Sequence, residues 1–558
     1  MYKISYLPFI LLLFTLLFCN FFAISQTRII YFKDKGNTSF SVQRPQEFVS
    51  QKSIERRAKQ GISFTIKDLP VNITYLTALQ QAGVQVRYSS KWFNACVASC
   101  DENTWNTVKQ LPFIKSGQQI SEATKIENPI LDKQESKQLF PDPNITNSGR
   151  GEGEENYGTS LTQVKMIGID EMHKANFAGK GMTIAVFDGG FTNVDVNKQG
   201  TYSKMTILGT YSFVHMNPYV YAYSTHGANV LSVLAAYRPA EVIGAAFEAF
   251  YYLFITENDD RLLDDRIEEF NWLAAAERAD SLGVDIINSS LGYNYFKNPI
   301  YNYKQSDLNG KTSVISQAAT LAASSGMLVV SSAGNIFEPE WTKIKMPADA
   351  DSILAVGSVD AQANWVASSL LGNTTDGRVK PDVSTMGNNV AGISTSGFLS
   401  LFNGTSYASP LAAGLAAGLW QANPKMTAMQ LLNAIRRSAN QYFAPNEKLG
   451  YGIPNYTKAM NVLGTTKEEL TEQNFMVFPN PMNSKDGILT LSFDEKLLQE
   501  ACTLTILDNS GKQVFSNELT ISQKNMIYSL QNSHLSQGVY ILRVEGKKFK
   551  AIRKLIVY

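Results

Sequence analysis

The chain has 558 residues, of which 44% are hydrophobic and 18% charged, and its formal net charge is +1. That length allows several domains with sizeable cores, and the near-zero charge gives no bulk electrostatic case for nucleic acid or an anionic membrane as partner. Cysteine is scarce (Cys19, Cys96, Cys100 and Cys502), no C-x-x-C pair occurs and only four histidines are present, which argues against a Cys/His zinc site and against disulfides holding the centre together.

In chain order, residues 1–25 read as a secretory signal peptide: Lys3, the apolar run Pro8–Phe18, then small residues at Ala23 and Ser25. A retained membrane anchor is the alternative. Residues 26–132 pattern as a small α/β unit. Arg28–Phe32 is strand-like, Ser50–Gln60 is a polar helix containing Arg56 and Arg57, Ile73–Ala82 has helical spacing and Val84–Tyr88 alternates. Residues 133–156 are polar and rich in Gly, Asn, Glu and Pro, a composition that buries no core, so an exposed linker open to a protease is expected.

Residues 157–463 change to hydrophobic runs alternating with helices. Met182–Phe187, Val284–Asn288, Met327–Ser331 and Ile353–Gly357 read as buried strands, with an amphipathic helix at Ile267–Leu282. Such alternation predicts an α/β fold, a parallel sheet covered on both faces with ligands at the carboxyl ends of its strands. Residues 464–473 form a second linker. From 474 to 558, alternating runs such as Ile488–Phe493 and the turn Asp508–Lys512 predict a separate β-sandwich.

The chemistry centres on Asn403-Gly404-Thr405-Ser406-Tyr407-Ala408-Ser409-Pro410, which sets Ser406 at a helix start, where free backbone N–H groups favour developing negative charge. Ala408 stands where a G-x-S-x-G elbow needs glycine, which disfavours an esterase. A serine nucleophile needs a base, and the base an orienting carboxylate. His226 opens the buried helix Val230–Ala236; His173 reads as part of a surface helix, His215 lies in an aromatic loop and His534 in the tail. Asp188 ends a buried strand ahead of Gly189-Gly190, and Asn335 ends another, its amide suited to an oxyanion. Singly, each is as well explained as a cap, a core histidine or a turn residue.

Together these residues resemble the subtilisin-like serine peptidases (the subtilase family): Ala185-Val186-Phe187-Asp188, His226-Gly227, Ser290-Leu291-Gly292, Ala333-Gly334-Asn335, Lys380-Pro381-Asp382-Val383 and Gly404–Pro410. The resemblance implies a subtilisin-like doubly wound, mostly parallel sheet in a secreted endopeptidase. It implies Asp188, His226 and Ser406 as triad, Asn335 in the oxyanion hole, and Ser290, Leu291 and Gly292 against the substrate. Gly189 and Asn229 depart from its usual residues. No cofactor is expected; structural calcium is common in the family, but no ligand motif matches, and Glu257, Asp259 and Asp260 read as a solvated face. Residues 26–132 resemble the family's α+β propeptide, an intramolecular inhibitor that makes the chain a zymogen. Phe478-Pro479-Asn480-Pro481, Leu535–Tyr540 and the basic ending resemble a type IX secretion sorting domain, implying that machinery as partner and export through the periplasm of a Gram-negative bacterium to its surface or medium. Substrates are proteins or peptides. The rival reading is a surface adhesin whose centre is a degenerate protease.

Overall fold

The structure, a computed structural model, describes residues 25–122, 137–138, 156–259, 263–337, 339–465, 475–484, 487–493, 497–508, 511–531, 535–546 and 550–558. The signal-peptide reading, most of the 133–156 linker, Asp260 and His534 lie outside the described residues. The chain divides into two compact units, Met1–Ala459 and Met460–Tyr558.

The first unit opens with β1 (Gln26–Phe32), α1 (Gln51–Lys59), α2 (Ile73–Gln81), β2 (Gln85–Ser90), β3 (Ala95–Cys100), α3 (Glu102–Val108) and β4 (Ile114–Glu122). The strands form an antiparallel sheet in the order β2-β3-β1-β4. Each helix starts on a side-chain cap: Ser50 accepts from Ser53 N–H, Asn72 from Thr74 N–H and Asp101 from Thr104 N–H. Strand alternation divides the sheet's faces: Ile30, Cys96 and Ala98 pack on Leu79 and Trp105, whereas Ile29 and Val97 join the core of the domain that follows.

That central domain contains β5 (Thr183–Asp188), β6 (Thr206–Ser212), α4 (His226–Ala235), β7 (Phe250–Ile255), α5 (Ile267–Leu282), β8 (Ile286–Ser289), α6 (Val314–Ser324), β9 (Leu328–Ser332), β10 (Leu354–Val359), β11 (Val383–Met386) and α7 (Thr405–Ala422). Seven parallel strands run in the order β11-β10-β9-β8-β5-β7-β6. β5 and β8 to β11 are buried along their whole length, because α5 and α6 cover one face and α4 and α7 the other. On the α5/α6 side, Ala185, Phe187, Ile287, Val329 and Ala355 share one core with Trp272, Leu273, Ile315 and Ala319. α7 lies close because it is made of small residues: a Cβ at Gly414 would fall 2.2 Å from that of Ala245, and one at Gly418 2.1 Å from Met172 Sδ.

The N-terminal domain docks on α5 through charge. Asp280, fully buried, accepts Arg56 at 2.6 Å, Arg57 at 2.8 Å and Lys91 at 2.7 Å, and Arg57 also meets Asp68 at 2.8 Å. One turn earlier, Glu277 accepts Ser90 Oγ (2.5 Å) and the N–H groups of Lys91 (2.7 Å) and Trp92 (3.1 Å). The arginines of the polar helix are therefore buried rather than solvated. Their polarity predicts exposure when read locally; the counter-charge that reverses it lies 223 residues away. His173 also departs from expectation: it is buried, its ring nitrogens meeting Tyr157 Oη (3.0 Å) and the Ala245 carbonyl (3.1 Å).

In the second unit, Phe475–Phe478, Ile488–Phe493 and Asn525–Ser529 form one antiparallel sheet, and Gln513–Thr520, Ala501–Leu507, Gly538–Gly546 and Lys550–Val557 another. Leu489, Leu491, Leu504, Ile506, Leu542, Val544 and Leu555 fill a common core between them, as a two-sheet sandwich requires. Among the described residues no helix is long and apolar enough to cross a membrane.

Candidate active site

The carboxyl ends of the parallel strands carry the polar residues. Asp188 is the last residue of β5 and is fully buried; its Oδ1 receives His226 Nδ1 at 2.7 Å and the Gly189 N–H at 2.9 Å. Burial pushes the Asp188 carboxyl above the usual carboxylate range, and the His226 contact pulls the other way. Glycines make the approach close. A Cβ at Gly190 would lie 2.3 Å from Ser224 N, and one at Gly227 would lie 2.4 Å from the Gly190 carbonyl oxygen and 2.7 Å from Asp188 Cβ. His226 begins α4, and its N–H donates to Ser224 Oγ at 3.1 Å.

Ser406 is the second residue of α7, within the first turn, where backbone N–H groups have no intrahelical acceptor. Its hydroxyl donates to the Ser290 carbonyl at 3.3 Å, and Ser290 Oγ donates back to the Ser406 carbonyl at 2.8 Å. The second bond follows from Pro410: proline has no N–H to offer the carbonyl four residues earlier, so Ser406 C=O accepts from outside the helix. Asn288 completes the tie, with Ser409 Oγ donating to its Oδ1 at 2.9 Å. Asn335 is held by its oxygen, which accepts Thr405 N–H at 2.9 Å and Thr405 Oγ at 3.2 Å. Gly404 (φ +132°) leaves room there, since a Cβ on it would lie 3.1 Å from Asn335 Nδ2.

A cleft of about 330 Å³ joins these groups: His226, Ser290, Leu291, Gly292, Asn335 and Ser406 all line it, with Asp188 behind His226. All seven residues picked out from the sequence thus converge. The sequence reading missed Glu257, Asp259, Asp264, Tyr295, Phe337 and Lys345, which line the same cleft. Glu257 and Asp259 face this cleft instead of forming a solvated face; their position after β7 was the available signal. The other histidines lie apart: His215 stacks on Tyr223 at 3.8 Å, and burial lowers His173 to about 4. Among the described residues no group of three or more His, Cys, Asp or Glu side chains is arranged to hold a metal ion.

Comparison with known proteins defines the class: this is a serine-type endopeptidase. Residues 179–452 match the family model described as the Subtilase family. Residues 27–138 match the Peptidase S8 propeptide domain of Bacteroidota, and residues 476–558 match a secretion system C-terminal sorting domain. Subtilisin NAT of Bacillus subtilis subsp. natto is 26% identical over 336 residues, 59% of this chain and 79% of that one. Subtilisin BL of Lederbergia lenta is 28% identical over 285 residues, 51% of this chain and 92% of that one. The solved structure of the prenylagaramide maturation protease PagA is 22% identical with a TM-score of 0.41, covering 53% of this chain and 98% of that one. The chain carries a subtilase-family peptidase domain, preceded by an S8 propeptide domain and followed by a secretion sorting domain.

Proposed function

We propose that Asp188, His226 and Ser406 form the catalytic triad of a secreted endopeptidase. The observation that carries this reading is the buried 2.7 Å Asp188–His226 contact opening on the cleft that Ser406 also lines. With Nδ1–H donated to Asp188, the imidazole presents Nε2 as base. It takes the Ser406 proton as Oγ attacks the scissile carbonyl, and then returns it to the leaving amine. Water repeats the sequence on the acyl-enzyme. Charge on the tetrahedral oxygen is met by the Asn335 side-chain N–H and the Ser406 backbone N–H. Thr405 supports that role, because it occupies the amide oxygen of Asn335 and so commits the NH2 to the other direction. Ser290, Leu291 and Gly292 bind the substrate as an extended strand.

The domain order supports a zymogen, in which the N-terminal domain blocks the peptidase until cut within about residues 133–159, and export by the type IX machinery through the periplasm of a Gram-negative bacterium to its surface or medium. No metal enters this reading. Substituting Ser406→Ala tests it: the protein should lose peptidase activity on casein and, if maturation is by self-cleavage, accumulate uncut. Full activity in that variant would refute the serine-peptidase mechanism.

A further inference from the structure

We infer that Asp259 is a positioning residue for His226, filling the space a side chain at position 189 would occupy and anchoring, through Ser224, the turn that carries the imidazole. The inference rests on the triad reading above.

Position 189 follows Asp188 and is glycine. A Cβ built there would lie 2.5 Å from Asp259 Cγ and Oδ2 and 2.8 Å from Oδ1, so the carboxylate stands where that side chain would go. It is held in place. Ser224 Oγ donates to Asp259 Oδ2, and the same Oγ accepts the His226 N–H at 3.1 Å. Two hydrogen bonds therefore run from Asp259 to the first residue of α4, and a hydroxyl donating to a carboxylate makes the stronger, charge-assisted kind. Ser224 has no freedom to move away: it is fully buried, and its backbone N lies where Gly190 has no room for a Cβ.

Behind Asp259 the chain of contacts continues. Tyr293 Oη donates to Glu257 Oε2 at 2.9 Å. Burial, Asp259, Asp264 and Glu268 push the Glu257 carboxyl well above the carboxylate range, and its side chain hydrogen-bonds that of Asp259. The titratable groups around Asp259 include Asp188, whose carboxyl it pushes further up, Glu257, and His226 across Ser224. Tyr293, Glu257, Asp259 and Ser224 form one hydrogen-bonded series that ends at the backbone of His226. The Asp188–Gly189–Gly190 turn, the Ser224–Gly227 turn and the end of β7 are locked against one another, and Asp259 is the side chain that closes the gap left by Gly189.

The test uses the matured full chain, with active sites counted by a serine-directed phosphonate and folding checked by thermal unfolding. Asp259→Ala should lower kcat on the order of 10-fold, short of the ~10²-fold that a 1 Å misplacement costs, with KM within about twofold. Asp259→Asn, whose amide oxygen still accepts from Ser224, should stay within about threefold of the parent. Gly189→Ala should mimic Asp259→Ala by displacing the carboxylate, and Gly189→Ser combined with Asp259→Ala should regain part of kcat. An unchanged kcat in Asp259→Ala, or a loss confined to KM, overturns the inference. So does an Asp259→Asn loss as large as that of Asp259→Ala. Should Asp259→Ala fail to mature, Asp259→Asn and Gly189→Ala decide alone: equal kcat in the two overturns it. If Ser406→Ala stays active, the triad reading falls first; if that variant is dead and Asp259→Ala turns over normally, only this inference falls.

Discussion

Replacing Asp280 by Asn should loosen the hold of the N-terminal domain without touching the cleft. The side-chain partners of this carboxylate, Arg56, Arg57 and Lys91, all belong to the N-terminal domain. The substitution therefore removes no ion pair within the peptidase but leaves buried cations uncompensated in the complex. Breaking a buried pair costs about 3–5 kcal/mol. The lower end applies, since Arg57 keeps Asp68 at 2.8 Å and Arg56 keeps the Val284 carbonyl at 2.6 Å. About 3 kcal/mol corresponds to roughly 10²-fold in an equilibrium constant. The assay titrates mature parent and Asp280→Asn enzymes with the same isolated N-terminal domain and compares inhibition constants. Any cost of folding that domain cancels in the ratio. The cations hold the Asp280 carboxyl below its usual range, so its contribution is complete above the free value near 4 and fades only as pH falls below it. The difference between the enzymes should therefore persist from about pH 5 to 8. Inhibition constants within about threefold of each other would refute the electrostatic account.

Asn335→Leu should lower kcat by about 10²–10³-fold with KM little changed, the loss that removal of one oxyanion-hole donor produces in subtilisin itself; a change confined to KM would assign Asn335 a structural role. His173→Gln should flatten the acid side of the stability profile. Burial lowers the folded-state value to about 4 against 6.5 free, so the parent is fully stable above pH 6.5 and loses roughly 3 kcal/mol as pH falls to 4, as chemical denaturation at several pH values would show. Deleting residues 474–558 should leave a protein that folds and cleaves peptides but stays in the periplasm of its host; normal delivery of the truncated enzyme, read by cell fractionation, would rule out the sorting role.

The central fold was legible because parallel strands buried on both faces are continuous apolar runs: Met182–Phe187 anticipates Thr183–Asp188, and the helix Ile267–Leu282 is matched residue for residue. β6 was harder to read, since its edge position leaves Thr206–Ser212 half exposed and mixed in composition. The seven candidate residues were legible because each sits beside a glycine or at a strand or helix end, where local pattern fixes the backbone. Asp259 was not, because its partners Gly189 and Ser224 reach it from separate loops and an acid among Glu257, Asp259 and Asp260 carries no local mark. The buried arginines were invisible for the same reason. Charge states its partner only in three dimensions.

Pro410 gives Ser406, the proposed nucleophile, a mechanical attachment outside its own helix. Within a regular helix each peptide group is clamped by the turn above it, and Ser406 would move only with the rest of α7. Without the N–H of residue 410, the Ser406 carbonyl is released from that ladder and given to the hydroxyl of Ser290 at 2.8 Å. Ser290, the first residue of the proposed substrate-binding segment, thus carries the peptide group of Ser406, the proposed nucleophile. A shift of Ser290 would be passed to Ser406 through the two hydrogen bonds between them, whereas the small residues of α7 pack closely on Ala245 and Met172. In the proposed mechanism, recognition and attack are then coupled through a missing backbone N–H.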